Sequence, residues 1–565
     1  MKKFSEIKYK KINVEKVSQE LNALIDEFKD APSFEAQNKA LEKINKFSDN
    51  LNTNMQVGEI RYTLDTTSKL NQKNKQEIDE VGPIISGLFN RFNIELVNAK
   101  FRPQLEEKRG KHLFNMTQNA LECFDEKIIP ELQEDNALSS EYTRVIAEAK
   151  IEFRGEIYNL SQLSKYTQST DRDTRREASL AVCKFFEDNN ERIGEIYDKM
   201  VKVRTRMAHK LGYENFIELG YKSLGRTDYD QKMVEGYREQ IYNDLVPLTN
   251  KLFKEQAKRL GIKNPQFYDY AIAFKSGNAI PNGNKDFLVE QATKMYHELS
   301  EETDTFFTFM KKYELLDLET RPGKAGGGYM DYLPKYKAPF IFSNFNGTSG
   351  DVDVLTHEFG HAFQGYMSRN IKCPDYHMPT NEACEIHSMS MEFITYPWMN
   401  LFFGENEAKY RYAHLEDAIT FIPYGATVDE FQHWVYANPE ATHKERCAKW
   451  REIEKKYLPH RKYDEAPILE NGGYWMRQGH IFGSPFYYID YTLAQVVAFQ
   501  FFIENEKNHE KAWKKYVKLC KMGGKYPFTE LLQRAHLNNP FVDGTIKKIV
   551  RPLTKYLKSI DISNY

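Results

Sequence analysis

The chain has 565 residues, which is long enough for a large hydrophobic core and for more than one lobe. Its 79 Lys and Arg residues nearly balance its 81 Asp and Glu residues, and a formal net charge of -2 is typical of an ordinary soluble protein rather than of a nucleic-acid-binding protein. No run of about 18 apolar residues is present and no apolar stretch follows the basic start MKKFSEIKYKKINVEK, so we expect no transmembrane span, no secretory signal and a cytoplasmic location.

The first third of the chain is predicted to be helical. Residues 1–200 contain only 6 of the 30 glycines, and stretches such as SQELNALIDEFKDAPSFEAQNKALEKINKFSDNL carry apolar residues at three- and four-residue spacing. The same spacing continues in a second set of apolar residues, Leu180, Phe185, Ile193, Ile196, Met200 and Val203. Helical patterning persists from 228 to 315.

A small, irregular sheet is predicted over residues 321–350. The stretch RPGKAGGGYMDYLPKYKAPFIFSNFNGTSG holds six glycines and three prolines among short aromatic and β-branched runs. Pro339 stands beside the run FIFSNF, and proline cannot donate a hydrogen bond to a sheet ladder. We therefore expect an edge strand near Phe340 to Phe345. Helical patterning resumes at residue 351.

A helix should begin near residue 351. Residues 347–350 (GTSG) supply a turn and N-cap candidates, and Asp351 and Asp353 place negative charge in the first turn, where the helix dipole favours it. The apolar side chains that should form its core-facing stripe are Val352, Leu355, Phe359, Ala362, Phe363 and Tyr366.

Two histidines lie four residues apart on another face of this helix. His357 and His361 stack one turn apart above Asp353, so both imidazoles could bind one zinc ion. Glu358 is rotated around the helix from His357 and could activate a water molecule on the metal as a general base. The string could also be three polar residues of an ordinary helix, so a third ligand is needed as support. The six cysteines form no CxxC pair and offer no thiolate motif.

A catalytic zinc site commonly has three protein ligands and one open position. A histidine six residues after the second one is excluded, because Met367 stands there. The segment PTNEACEIHSMSMEFITYP instead predicts a helix that is capped by Thr380 or Asn381 and carries Glu385 and Glu392 seven residues apart on one face. We therefore predict that Glu385 is the third ligand.

Other polar residues of the two helices are expected to support the site. Asp353 and Glu392 are candidates to accept the second ring N–H of a ligating histidine. His387 lies about 200 degrees around the helix from Glu385, so we expect a core or surface role for it.

Several motifs together resemble one family of peptidases. They are HEFGHAFQGY with its two later glutamates, the upstream RPGKAGGGY and FSNFNGTSGDVDVLTHEFGH, and the downstream GHIFGSPFYYIDYTLAQ. In this the chain resembles oligoendopeptidase F, in the thimet oligopeptidase family of zinc peptidases. The motifs span about 321–495, and a looser resemblance runs from about residue 200 to the C-terminus.

The resemblance implies a mostly α-helical, two-lobed fold with a deep channel and a small β-sheet next to the HExxH helix. We expect residues 1–200 to form an N-terminal helical lobe and residues 201–565 to form the catalytic domain. One zinc ion per chain would be held by His357, His361 and Glu385, with Glu358 as general base, and short unfolded peptides would be the substrates. A strand near Phe340 to Phe345 would pair with the peptide backbone.

A later segment of the family, in which a histidine precedes clustered tyrosines, matches His480 with Tyr488 and Tyr491. A phenol or imidazole donor beside the metal would stabilise the negative charge that develops on the carbonyl oxygen. Tyr487 is expected to pack in the core.

Three hypotheses of function follow. The first is a zinc endopeptidase of oligopeptides, with no nucleic-acid or membrane partner. The second is a carboxypeptidase on the same scaffold, in which Tyr488, Arg477 or His480 would anchor a terminal carboxylate. The third is a non-catalytic peptide-binding protein, which the intact set of His357, Glu358, His361 and Glu385 argues against.

Overall fold

The computed structural model describes residues 1–565, except for the side chains of Pro83 and Ser161. Helices make up most of the chain, which confirms the predicted mostly α fold. The chain forms two compact units, each assembled from three segments. The first unit comprises Met1–Glu122, Ile280–Gly404 and Glu504–Leu537, and the second comprises Cys123–Ala279, Glu405–Ile503 and Asn538–Tyr565.

The first unit opens with long helices that begin at side-chain caps. Asn13, Ser33 and Ser68 each accept a hydrogen bond from the backbone N–H three residues further on, which satisfies one of the unpaired donors at a helix start. The α-helices of this unit are Val14–Lys29, Phe34–Leu64, Lys69–Val97, Arg102–Arg109, Lys111–Glu122, Lys285–Leu299, Glu301–Lys312, Gly350–Ser368, Asn381–Ile394, Met399–Phe403, His509–Met522 and Phe528–Arg534.

A three-stranded sheet lies in the first unit directly before helix Gly350–Ser368. Strand Ala338–Phe345 is central: it pairs in parallel with Leu316–Glu319 on one side and antiparallel with Tyr329–Leu333 on the other. Nearly all of its residues are buried. The sheet was expected here, but the prediction that Phe340 to Phe345 forms an edge strand is wrong.

The position of Pro339 explains how a proline is tolerated in the central strand. Pro339 faces Tyr332 in the antiparallel ladder, whereas the parallel ladder begins only at Ile341. The proline therefore precedes the doubly paired part of the strand, at a strand start where a missing N–H costs little.

Helices also dominate the second unit, which contains one short hairpin. Its strands Ile151–Phe153 and Glu156–Tyr158 pair antiparallel across Arg154 and Gly155, both with positive φ, as a tight hairpin turn requires. The α-helices are Ile129–Ala147, Leu160–Thr167, Arg172–Asp188, Asn190–Leu211, Phe216–Ser223, Gln231–Gln240, Val246–Leu260, Glu407–Ala437, His443–Tyr457, Pro467–Glu470, Gly479–Gly483, Tyr488–Asn505 and Thr545–Ser559. The last two residues of Tyr488–Asn505 belong to the first unit.

Two expectations of the sequence concern the chain as a whole. Within the described residues, the helices are all too short or too polar to cross a lipid bilayer. The division into residues 1–200 and 201–565 stays a prediction. It follows the order of the chain, whereas each compact unit combines segments that are distant in sequence.

Candidate functional site

The helix that carries HEFGH is held in the first unit by the predicted apolar stripe. Val352, Leu355, Phe359 and Phe363 are almost completely buried, and burial of side chains of this size contributes about 1.5 to 3 kcal/mol each. Phe359 stacks on Tyr296 with 3.6 Å between ring centroids. Tyr366, the last residue of the stripe, is only half-buried. This packing fixes which face of the helix presents its histidines.

The start of this helix differs from the predicted cap. The side chain of Ser349 does not cap the helix; instead the carboxylate of Asp351 accepts hydrogen bonds from the backbone N–H groups of Asn346 and Gly347, at 2.9 and 2.7 Å. Asp351 thus ties the preceding turn to the helix.

A glycine lets the second helix of the site approach closely. A Cβ atom on Gly360 would lie 2.6 Å from the carbonyl oxygen of His387 and 2.7 Å from Cα of Ser388, closer than van der Waals contact permits. Only glycine can therefore stand at this crossing of helices Gly350–Ser368 and Asn381–Ile394. Gly360 was not among the predicted site residues, although a glycine inside a helix is a signal of a close contact.

The crossing brings three potential metal ligands together. Oε2 of Glu385 lies 3.2 Å from Nε2 of His357 and 3.4 Å from Nε2 of His361. One ligand atom from each residue can be chosen so that all three lie within 4.8 Å of one another. Two imidazole nitrogens and one carboxylate oxygen form the donor set of many catalytic zinc sites.

Glu392 supports the first histidine from the opposite side of its ring. Its Oε1 lies 2.6 Å from Nδ1 of His357. Burial opposes protonation of His357, but Glu385 and Glu392 outweigh burial and raise its pKa well above the ordinary value. A carboxylate that accepts a hydrogen bond from Nδ1 keeps the hydrogen of a neutral imidazole on that atom. The lone pair is then on Nε2, where it can bind a metal. Glu392 therefore takes the supporting position predicted for it, whereas the role of Asp353 stays a prediction.

A serine that was not predicted from the sequence orients the third candidate ligand. The hydroxyl of Ser388 donates to Oε2 of Glu385 at 2.9 Å from one turn further along the same helix. Ser388 is completely buried. No sequence pattern distinguished it from the neighbouring serine at position 390.

Glu358 is a largely buried carboxyl group next to the first of these histidines. Its side chain is only 7% exposed, and Oε2 is buried without a hydrogen-bond partner among the described residues. Burial raises the pKa of this carboxyl, while the imidazoles of His357 and His361 act in the opposite direction. A Cβ on Gly328, just before strand Tyr329–Leu333, would lie 3.8 Å from Oε1 of Glu358, so the sheet borders the site.

The charges of the group fit a divalent cation. Three carboxylates, those of Glu358, Glu385 and Glu392, surround two imidazoles in a largely buried space. Buried negative charge is costly unless it is paired. A metal ion at the convergent ligand atoms would provide that compensation.

His387 lies in the core, one of the two roles predicted for it. Its ring is completely buried, with Nδ1 3.5 Å from Sγ of Cys520, and the hydroxyl of Tyr516 donates to its backbone carbonyl. Burial lowers the pKa of His387 to about 3, so the ring is neutral.

The second unit gathers the predicted histidine and tyrosines into one cluster. The ring centroid of His480 lies 5.1 Å from that of Tyr488 and 5.7 Å from that of Tyr491. The hydroxyl of Tyr491 is 3.4 Å from Nε2 of His480. Burial raises the pKa of Tyr488, so its phenol keeps its proton. Tyr487, which was expected in the core, is half-buried and packs against Tyr491 at 4.8 Å.

A buried ion pair anchors the helix that carries these tyrosines. Arg226 donates to Oδ1 of Asp490 and to the carbonyl oxygen of Phe486, both at 2.6 Å. Both members of the pair are fully buried. Phe486, directly before the tyrosines, has φ of 66°, an unusual value for a non-glycine residue that these contacts hold in place.

Arg477, one of the suggested carboxylate anchors, lies among aromatic rings. Its guanidinium carbon is 4.4 Å from the ring centroid of Tyr474 and 5.3 Å from that of Phe186. Among the described residues, its Nε and Nη2 are buried without a hydrogen-bond partner. These two nitrogens face protein rather than an open surface.

Family models match almost the whole chain. The model of peptidase family M3 matches residues 165–551, and the model of the peptidase M3 N-terminal domain matches residues 4–124. A search of the curated proteins gives no match.

Solved structures agree with this assignment over the full length. Pz peptidase A, in a structure with an inhibitor, is 49% identical, with a TM-score of 0.94 and coverage of 99% of this chain and 100% of that chain. A protein provisionally assigned as an oligoendopeptidase F is 48% identical, with a TM-score of 0.95 and 99% of each chain covered. Another such protein, from Bacillus anthracis strain Ames, is 44% identical, with a TM-score of 0.91 and both chains covered completely. With three potential metal ligands brought together by two crossing helices and family matches along the chain, this protein belongs to peptidase family M3 and is a metalloendopeptidase of the oligoendopeptidase F type.

Proposed function

We propose that this metalloendopeptidase binds one zinc ion per chain through His357, His361 and Glu385 and hydrolyses short, unstructured oligopeptides. The observation that carries the proposal is the convergence of the three ligand atoms within 4.8 Å on two helices. When bound there, zinc would supply a Lewis acid that polarises the scissile carbonyl and lowers the pKa of a water molecule.

Glu358 is the general base of the proposed reaction. Its carboxylate takes a proton from the attacking water molecule and passes that proton to the leaving amine. The buried setting supports this role, because a base whose pKa is raised towards neutrality accepts a proton more readily than an exposed carboxylate.

His480, Tyr488 and Tyr491 are proposed to donate hydrogen bonds to the developing oxyanion. For these side chains the proposal rests on the family resemblance and on their mutual contacts within the second unit. A donor that is fixed before the reaction stabilises this charge without reorganisation, and the buried pair of Arg226 and Asp490 supplies such fixation.

Oligopeptides are the proposed substrates because two of the similar proteins are described as oligoendopeptidases. Strand Tyr329–Leu333 holds an edge of the sheet, and the residue before it borders Glu358. A sheet edge binds extended backbone and does not require a particular side chain. We also propose a cytoplasmic site of action, supported by six cysteines that are all free thiols.

A fluorescence-quenched peptide of about ten residues, blocked at both termini, tests this function directly. We expect cleavage at an internal bond, loss of activity with a chelator, and recovery when stoichiometric zinc is returned. A stably folded protein should stay intact, since edge pairing requires an extended chain. Cleavage only of peptides with a free C-terminus would favour the carboxypeptidase, and binding without cleavage would favour the peptide-binding protein.

Tyr491→Phe is expected to lower kcat on the order of 100-fold, as loss of one transition-state donor does in other enzymes. The substitution removes one hydroxyl and almost no volume, so zinc content and melting temperature should be unchanged. Tyr487→Phe, four residues earlier and directly before the same helix, is the matched control and should have a much smaller effect. Normal turnover of Tyr491→Phe together with a large loss in Tyr488→Phe would assign the donor to Tyr488 instead.

A further inference from the structure

Gln478 connects a tyrosine to the imidazole of His480 in the second unit. Its Oε1 accepts a hydrogen bond from the hydroxyl of Tyr424 at 2.8 Å, and its Nε2 lies 2.8 Å from Nδ1 of His480. Nε2 of His480 lies 3.4 Å from the hydroxyl of Tyr491. The four side chains thus form a hydrogen-bonded row that ends at the proposed oxyanion donors.

The direction of this row follows from which groups can donate. An amide nitrogen donates and cannot accept, so a neutral imidazole that faces it must accept through Nδ1 and carry its hydrogen on Nε2. That N–H then points towards the oxygen of Tyr491, and the phenolic proton of Tyr491 is directed away from His480. In this arrangement the hydroxyl of Tyr491 is presented as a donor.

Tyr424 determines which way the amide of Gln478 faces. The guanidinium carbon of Arg461 lies 5.2 Å from the ring centroid of Tyr424, and a guanidinium offers no acceptor for a phenolic proton. The hydroxyl of Tyr424 donates to Oε1 of Gln478 at 2.8 Å, and burial, which raises the pKa of Tyr424 well above its ordinary value, keeps the proton available for this bond. The amide nitrogen is then turned towards His480.

The opposite orientation of the amide would reverse the whole row. With Oε1 facing His480, Nδ1 would carry the hydrogen, Nε2 would become an acceptor, and the hydroxyl of Tyr491 would donate to it. Tyr491 would then direct its proton at the imidazole rather than at a substrate. The two orientations therefore make opposite predictions for the proposed oxyanion donor.

We propose that Gln478, oriented by Tyr424, is a positioning residue that holds His480 in the tautomer with hydrogen on Nε2, so that His480 donates to Tyr491 and Tyr491 directs its own proton away from the row during peptide hydrolysis. The catalytic part of this inference rests on the proposed function of His480 and Tyr491. The tautomer itself can be measured without any turnover.

Nitrogen NMR of the full-length, zinc-loaded protein with 15N-labelled histidine tests the tautomer. The ring signals of His480 are assigned by their loss in His480→Gln. In the wild type we expect a hydrogen on Nε2 and none on Nδ1. Gln478→Glu has the same length but a side chain that can only accept, so its spectrum should show hydrogen on Nδ1.

Kinetics of two further variants test the consequence. Gln478→Met keeps the length and approximate volume but removes the amide, so we expect kcat to fall about 10-fold with KM nearly unchanged. Tyr424→Phe should lower kcat a few-fold in the same direction, because the amide loses the group that orients it. Zinc content and circular dichroism equal to the wild type would show that neither change acts through the fold.

Each outcome decides the proposal. Hydrogen on Nδ1 in the wild type would overturn it even if the enzyme were fully active with zinc. Hydrogen on Nε2 together with normal kcat in Gln478→Met would also overturn it, because the tautomer would then not depend on Gln478 or not matter for turnover. Failure of the proposed function looks different: the wild type would lack zinc-dependent cleavage while the spectrum still reported the tautomer.

Discussion

Glu358→Gln should give a folded protein that binds zinc fully but has kcat between about 10² and 10⁴-fold below the wild type, the range that a positioned general base contributes. Glutamine has the same length and shape as glutamate but cannot accept a proton from water. Since Glu358 is largely buried and burial disfavours its charged form, replacement by a neutral amide should not lower the melting temperature. Steady-state kinetics, zinc content and a thermal melt measure the three quantities.

Glu358→Asp is the matched control for this experiment. It keeps the carboxylate but withdraws it by one methylene group, so we expect an intermediate loss of kcat with zinc still bound. A glutamine variant that turned over at nearly the wild-type rate would remove Glu358 from the mechanism, and loss of zinc from it would mean that Glu358 helps to bind the metal.

The elements around the site could be predicted from sequence because local patterns specify them. The apolar stripe from Val352 to Phe363 predicted a helix face that is now seen buried. Helix Asn381–Ile394 begins directly after Thr380 as expected, although the side chain of Thr380 does not cap it. The strand order could not be predicted in this way. Pro339 indicated an edge strand, but whether a strand has one neighbour or two depends on segments distant in sequence, here Leu316–Glu319 and Tyr329–Leu333.

The acidic residues of the site followed from spacing, whereas several residues that position other side chains or helices did not. Glu385 and Glu392 lie seven residues apart on one helix face, and this face meets the two imidazoles. Gly360 meets the backbone of another helix and Gln478 contacts Tyr424 of another segment, and no spacing rule predicts such contacts. Ser388 does lie at a helical spacing from Glu385, but nothing in the sequence distinguished it from Ser390. Sequence patterns thus predicted the residues that carry charge better than those that position them.

Glu385→Ala is expected to cause the largest loss of metal. Removal of one of three protein ligands leaves only His357 and His361, and two imidazoles alone do not form a typical zinc site. Zinc content should fall to a small fraction of one ion per chain after dialysis against a weak chelator, and activity should fall with it. Ser388→Ala removes the hydroxyl that donates to Oε2 of Glu385 but no ligand, so it should keep its zinc with modestly lower affinity.

Glu392→Gln provides the graded comparison that identifies the third ligand. Glu392 contacts Nδ1 of His357 at 2.6 Å, on the side of the ring away from Glu385, so its loss should weaken zinc binding by about 10- to 100-fold, as for partners of ligating histidines elsewhere. Competition with a chromophoric chelator gives the affinity of each variant. If Glu392→Gln lost its zinc and Glu385→Ala kept it, the two glutamates would have exchanged roles. This would require His357 to bind the metal through Nδ1, an outcome that the present contacts of Glu385 with Nε2 of both histidines argue against.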